Sequence, residues 1–103
     1  MSKVVKINNI DDYKAFKNAH SKGIVFYSSE SCHACKKIEP LYIRIANRYH
    51  DKIAMAYTDI DECKLNFKQI PFFVSLDNGE QRDTLSGSNP EELKQFIREA
   101  IIS

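Results

Sequence analysis

Two cysteines, Cys32 and Cys35, lie three positions apart at the junction between two predicted elements. They follow an apolar run at residues 24–27 and directly precede a long helical pattern. A cysteine at the start of a helix lies among unpaired backbone N–H groups, at the positive end of the helix dipole. Both features stabilise a thiolate, which is the reactive form of cysteine. The position of the pair therefore favours redox chemistry over two inert buried thiols.

The composition is that of an ordinary globular protein, so we expect one domain over residues 1–103. Hydrophobic residues make up 43% of the chain and charged residues 28%. A formal net charge of +1 gives no broad basic field for nucleic acid or anionic lipid. No apolar run approaches the roughly 20 residues that span a bilayer. We therefore expect no nucleic-acid partner and no membrane association. We also expect a monomer.

The cysteine count bears on the compartment. Three cysteines are an odd number and few for a disulfide scaffold, so we expect the pair to be redox-active or metal-binding rather than structural. The apolar part of the N-terminus, at residues 4–7, is too short for a signal peptide. We therefore expect a cytoplasmic protein.

The first half of the chain predicts two strand–helix units. Residues 4–7 predict a short strand, and Asn9 is placed to cap a first helix. Residues 24–27 predict a central strand that is covered on both faces. Ser31 is expected to cap a second helix, in which Pro40 causes a kink but no break.

The second half predicts three strands and a closing helix. The strands are predicted at residues 53–60, 72–76 and 81–85. For the short polar connection at residues 61–69 we expect a loop or one or two helical turns. Asp77-Asn78-Gly79 is typical of a tight hairpin between the last two strands. Asn89 and Pro90 mark the start of the closing helix.

The resulting element order, βαβαβ followed by ββα, belongs to the α/β class. Alternating strands and helices favour parallel pairing, and the hairpin adds antiparallel strands at one side. We therefore expect a central mixed sheet flanked by helices on both faces.

In these motifs the chain resembles the thioredoxin family over nearly its whole length. The matching pieces are the strand at residues 24–27, Cys32-His33-Ala34-Cys35-Lys36, Pro40, Asp59-Ile60-Asp61, Ile70-Pro71, Asn78-Gly79-Glu80 and Gly87. The resemblance implies a thioredoxin fold and a thiol–disulfide oxidoreductase that acts on protein disulfides without a cofactor or metal. It implies that Cys32 is the exposed nucleophile and Cys35 the buried resolving thiol. An upstream reductase or thiol donor would recharge the pair.

The resemblance also implies a substrate-binding region around the pair. Pro71 is expected to be cis and to face the cysteines. The backbone polar groups of Ile70 would then stay free to pair with an extended substrate segment. Ser31 and Ala34 complete the predicted substrate-binding residues.

The chain departs from the thioredoxin pattern at several positions around the pair. Ser31 stands where the family has tryptophan, and His33 and Ala34 stand where it has glycine and proline. The family's buried aspartate is Phe26 here and its partner lysine is Tyr57, so both members of a buried charge pair are missing together. The connection after the third strand is also several residues shorter, so we expect a shortened third helix.

Three residues near the pair, His33, Glu30 and Lys36, are candidates for redox tuning. A protonated His33 would stabilise a thiolate on Cys32, and Lys36 adds a modest field of the same sign. A stabilised thiolate favours the reduced form, which makes the disulfide more oxidising than that of standard thioredoxin. Without the buried aspartate we expect slow resolution by Cys35, or help from Glu30 or His33 through water.

Two other functions remain open. One is a metal or iron–sulfur module with Cys32 and Cys35 as ligands, which needs further ligands such as Cys63, the histidines or a second chain. The other is a non-catalytic adaptor that binds partners through the groove near Pro71. Cys63 is interpreted as a loop thiol, with regulatory oxidation or dimer formation as alternatives.

Overall fold

Strands and helices alternate in the predicted order. In the computed structural model, which describes residues 3–102, the strands are Val5–Lys6 (β1), Lys22–Ser28 (β2), Ala54–Asp59 (β3), Phe72–Asp77 (β4) and Glu80–Ser86 (β5). The helices are Ile10–Ala19 (α1), His33–Tyr49 (α2) and Pro90–Ile102 (α3). The sheet order is β1-β3-β2-β4-β5. β3 pairs in parallel with β1 and β2, whereas β4 is antiparallel to β2 and β5, so the predicted mixed sheet is confirmed.

β2 is the central strand, and both of its faces are covered. Ile24 and Phe26 belong to a core cluster that includes side chains of α2 and α3. Val25 points to the other face, where it packs in a second cluster with Phe16 of α1. This arrangement confirms the helices on both faces, and it fixes the strand that leads directly to the cysteine pair.

The core below the pair is aromatic. Phe26 is 1% exposed and stacks on Phe73 with ring centroids 4.7 Å apart. Tyr42 of α2 packs on Phe26 at 5.0 Å, and its buried hydroxyl donates a hydrogen bond of 2.7 Å to the carbonyl of Ala56. This contact joins α2 to the middle of the sheet, because a buried hydroxyl is stable only with a partner.

Local sequence signals place the last elements as predicted. Asn78 and Gly79 both have positive φ, 53° and 84°, which is the type I′ turn that matches the twist of a two-residue hairpin. At the start of α3 the side-chain oxygen of Asn89 accepts hydrogen bonds from the backbone N–H groups of Glu91 and Glu92, at 2.9 and 3.1 Å.

The connection between β3 and β4 contains turns, bends and irregular backbone, so the expected shortening leaves no helix in this part of the described chain. Backbone hydrogen bonds from Cys63 to Asp59, at 3.1 Å, and from Leu65 to Ile60, at 2.8 Å, close its first turns. The chain therefore crosses from the end of β3 to Pro71 along a short irregular path.

α2 is the longest helix, with 17 residues, and it continues through Pro40 as predicted. No helix in the described part of the chain combines the length and the apolar character needed to cross a membrane.

Candidate active site

The cysteine pair lies where β2 ends and α2 begins. Cys32 and Cys35 form a disulfide, and their Cα atoms are 5.3 Å apart. Cys32 is half-buried, whereas Cys35 is 1% exposed and belongs to the core cluster below. A sulfur atom of another molecule can therefore approach Cys32 but not Cys35.

Cys32 rather than Ser31 caps α2, so the predicted cap is wrong by one residue. The Cys32 backbone is extended, and its Sγ accepts a hydrogen bond of 3.1 Å from the backbone N–H of Cys35. The Cys32 sulfur therefore lies over the first helical turn, where it takes the place of a capping oxygen. One of the free N–H groups of the helix start thus contacts the sulfur that the sequence identified as the nucleophile.

The first turn of α2 contains a histidine and a lysine but no acid. His33 and Lys36 are exposed there, and no acidic residue lies in this turn. Within residues 3–102 neither side chain forms an ion pair with a carboxylate. The helix dipole favours a negatively charged sulfur at the start of α2, whereas the predicted tuning by His33 and Lys36 stays a prediction.

Ser29 organises the segment before the pair, and sequence reasoning missed this role. Its side chain is 5% exposed, and its hydroxyl donates a hydrogen bond of 2.5 Å to the carboxylate of Asp61. The same oxygen accepts the backbone N–H of Ser31 at 3.3 Å and lies 3.0 Å from the Ser31 hydroxyl. The Ser29 carbonyl accepts the backbone N–H of Cys32 at 3.1 Å. The parallel pairing of β2 with β3 could have indicated this contact, because it places the segment after β2 next to the segment after β3.

The carboxylate of Glu30 faces other acids. Its oxygen atoms lie within 4.8 Å of those of Asp59 and Glu62, and Glu62 forms an ion pair with Lys6 at 3.2 Å. The hydrogen bond and the charge of Glu62 raise the pKa of Lys6 above its ordinary value. No hydrogen bond joins Glu30 to either cysteine of the pair in the described structure, so the predicted redox-tuning role of Glu30 stays a prediction.

The same three acids form the only group of potential metal ligands gathered within residues 3–102. Neither cysteine of the pair belongs to this group. The Cys63 thiol instead lies 3.2 Å from the Thr58 hydroxyl and 3.2 Å from the Asn8 carbonyl oxygen. The further ligands that a metal or iron–sulfur site would need are therefore not assembled around Cys32 and Cys35 in this part of the chain.

The Ile70–Pro71 peptide bond is cis, as the resemblance implied. Tyr27 near the end of β2 pairs with Phe72 at the start of β4. Pro71, which directly precedes β4, therefore lies at the same end of the strands as the segment that leads from β2 to the cysteines. Ile70 and Cys32 both pack against the same core cluster. The backbone of Ile70 makes no hydrogen bond to another backbone group in the described chain, whereas the Pro71 carbonyl accepts one from Gly87 at 2.9 Å.

Comparison with known proteins decides the family, because the thioredoxin family model matches residues 3–99. The chain belongs to the thioredoxin family. A curated relative, thioredoxin 1 of Plasmodium falciparum, is 37% identical over 79 residues, which cover 72% of this chain and 75% of that protein. Thioredoxin-like protein 1 of Schizosaccharomyces pombe is 38% identical over 78 residues, 70% of this chain but 26% of that longer protein.

Solved thioredoxin structures share the fold. The structure of Plasmodium falciparum thioredoxin matches with a TM-score of 0.86 and 29% identity, over 93% of this chain and 98% of that one. Malassezia sympodialis thioredoxin matches with a TM-score of 0.87 and 24% identity, over 97% and 92% of the two chains. As a member of the thioredoxin family with a disulfide-forming Cys-x-x-Cys pair, the protein is a thiol–disulfide oxidoreductase.

This thioredoxin lacks the family's buried charge pair, and the structure shows what replaces it. Phe26 fills the position of the acid as part of the aromatic stack, and Tyr57, at the position of the lysine, is its partner in the β2–β3 register. A small cavity of about 250 Å³ adjoins them, lined by Val4, Phe26, Glu39, Tyr42, Ile43 and Tyr57. Phe26 is thus a core residue, while Tyr57 is only half-buried.

Proposed function

We propose that this protein exchanges disulfides with protein substrates by attack of Cys32 and resolution by Cys35. The observation that carries the proposal is the difference in exposure between the two cysteines: Cys32 is half-buried, whereas Cys35 is 1% exposed. Attack on a partner must begin at the accessible sulfur. The buried sulfur is then held next to the bond that it has to break.

The chemistry proceeds in two displacements. The Cys32 thiolate attacks one sulfur of the substrate disulfide, so a mixed disulfide forms and the other substrate sulfur leaves as a thiolate. Cys35 then loses its proton and attacks Cys32 Sγ, which releases the second substrate thiol and leaves the Cys32–Cys35 disulfide. The substrate gains two electrons and the pair loses two. A reductase or a thiol donor must return them before the next cycle.

The surroundings of each sulfur suit its step. The N–H of Cys35 that contacts Cys32 Sγ is available to stabilise the attacking thiolate. Cys35 is buried in the core cluster, so its sulfur is held below Cys32, where the mixed disulfide would form. Because Phe26 offers no base, we propose that resolution is slow or uses Glu30 or His33 through water.

Substrate binding is proposed along the edge formed by Ser31, Ala34, Ile70 and Pro71. The free backbone groups of Ile70 support this assignment, since an extended segment could add to them as a short strand. Exposed His33 and Lys36 support a disulfide that is more oxidising than that of standard thioredoxin, because they favour the thiolate of the reduced form. The small number of cysteines is compatible with a reducing compartment such as the cytoplasm.

Reduction of insulin by dithiothreitol tests the proposed activity. We expect the wild-type protein to accelerate precipitation of the insulin chains and Cys32→Ser to lose this acceleration. Cys63→Ser is the matched control and should keep the wild-type rate, because Cys63 contacts Thr58 and Asn8 rather than the pair. A wild-type protein without activity would instead favour a non-catalytic adaptor.

A further inference from the structure

A groove between α2 and α3 combines an apolar floor with a basic rim. The cavity measures about 460 Å³. Its floor consists of Leu41, Ile45, Tyr49, Ile97, Ile101 and Ile102. Its rim consists of Arg44, Arg48, Lys52, Lys94 and Arg98. We call this feature the basic groove; none of the described residues that line it is acidic.

The floor of the basic groove is open to solvent although it is apolar. Only Ile97 is almost fully buried, at 2% exposure, while Ile102 is 75% exposed. The remaining floor side chains are half-buried and pack against the main core cluster from outside. An open apolar surface with a polar rim is typical of a site where another molecule docks.

The rim carries positive charge that the described residues leave largely uncompensated. Lys94 pairs with Glu91 at 3.3 Å, but Arg44, Arg48, Lys52 and Arg98 have no carboxylate within ion-pair distance in residues 3–102. The whole chain has a net charge of only +1, so five cations around one groove are a local concentration. A ligand with negative charges along both sides would be attracted to this rim.

We propose that the basic groove docks an acidic amphipathic helix of a partner protein. A slot between two helices accepts a third helix, whose apolar stripe would lie on the floor while flanking Asp and Glu side chains meet the rim. A second copy of this chain is disfavoured, because a symmetric contact would bring the same five cations face to face.

Docking at the basic groove would leave the cysteine pair accessible. An α-helix rises about 1.5 Å per residue, so Arg44 and Arg48 lie roughly 18–24 Å along α2 from Cys32. The groove would therefore recruit the oxidoreductase to a partner without covering the reacting sulfur. This role is independent of the disulfide exchange itself.

The test is a titration of isotopically labelled full-chain protein with a synthetic helical peptide, followed by amide NMR shifts. The peptide carries leucines at i, i+3, i+4 and i+7 and glutamates on both flanks of this stripe. We expect shifts confined to α3 and the C-terminal half of α2, and none with a peptide that has lysine for every glutamate. Absence of shifts up to about 1 mM acidic peptide would overturn the proposal.

Paired charge reversals provide the matched control. Arg44→Glu with Arg48→Glu should weaken peptide binding at least about tenfold. Lys14→Glu with Lys17→Glu, on α1 at the opposite face, changes the net charge equally and should leave the affinity unchanged. Both variants should keep wild-type insulin reduction, which separates docking from catalysis. Equal peptide binding by both variants would contradict the proposal. Binding of the protein to phosphatidylserine vesicles without any response to the peptide would also contradict it, and would indicate a lipid surface instead.

Discussion

The backbone N–H of Cys35 donates a hydrogen bond of 3.1 Å to the Sγ of Cys32, so the proposed resolving residue contacts the proposed nucleophile through its backbone. The contact exists because Cys32 itself caps α2 and its sulfur lies over the first turn. When the disulfide is reduced, the same donor can hold a thiolate at Cys32, because a free N–H at a helix start prefers a negative partner. The site thus couples its two cysteines through the backbone as well as through the disulfide.

The redox potential of the pair should depend on His33. We expect the wild-type potential to lie above the value of about −270 mV that is typical of thioredoxin. Replacing His33 with alanine should lower it by about 15–30 mV, a three- to tenfold change in the equilibrium constant, because the proposed stabilisation of the Cys32 thiolate by His33 is lost. Equilibration with glutathione measures both values. His50→Ala, at the distant end of α2, is the control. A wild-type redox potential at or below that of thioredoxin would contradict the proposed tuning of the potential by His33.

Ser29→Ala should loosen the segment that precedes the pair. The variant loses the hydrogen bond to Asp61 and the contacts to Ser31, so we expect about 1–2 kcal/mol less unfolding free energy in urea and a lower kcat/KM for insulin. Ser31→Ala keeps the hydrogen bond between Ser29 and Asp61, so it should lose less unfolding free energy than Ser29→Ala. Equal stability of Ser29→Ala and wild type would show that this network does not hold the segment.

Phe26→Ala should be among the more destabilising single changes. The ring is buried and packs on Phe73 and Tyr42, so its removal leaves a cavity and should cost about 3–5 kcal/mol in urea unfolding. Phe67→Ala removes the same atoms from a half-buried ring in the β3–β4 connection and should cost clearly less. Similar losses for the two variants would argue against an aromatic core below the pair.

Stability should fall between about pH 10 and 12, in part because of Tyr27. Burial raises the pKa of Tyr27 to about 12, with a smaller contribution from Tyr13. In the unfolded chain a tyrosine ionises near pH 10, so in this range the unfolded state loses a proton that the native state keeps. The free energy of unfolding therefore decreases as pH rises. Tyr27→Phe should make this slope shallower by at most about 1.4 kcal/mol per pH unit.

Urea unfolding at several alkaline pH values measures this slope. Part of the decline should remain in Tyr27→Phe, because burial also raises the pKa of Tyr42 well above its ordinary value. Identical slopes for the variant and the wild type would contradict the assignment to Tyr27.

Much of the fold could be predicted because its signals are local. The side chain of Asn9 caps α1 by accepting the N–H of Asp12, and Asn78-Gly79 adopts the turn that these residue types favour. The uninterrupted apolar run at residues 24–27 identified the central strand, since a strand covered on both faces lacks polar alternation. These patterns involve residues that are close together in the chain, so they can be recognised in the sequence alone.

Other features depend on contacts between distant residues. The bond between Ser29 and Asp61 joins positions 32 apart, and only the pairing of β2 with β3 brings them together. Ser31 and Cys32 both have side chains that can cap a helix, and the sequence pattern alone does not distinguish between them. The cations of α2 look like a solvated helix face until α3 packs beside them and forms the basic groove.

The roles of the two cysteines are tested most directly by trapping the mixed disulfide. Cys35→Ser is mixed with a peptide that contains a disulfide, and the intact mass and the modified residue are determined by mass spectrometry. We predict a stable adduct of one peptide chain on Cys32, because the resolving sulfur is missing. Cys32→Ser should form no such adduct. An adduct located on Cys63, or no adduct with Cys35→Ser, would contradict attack by Cys32.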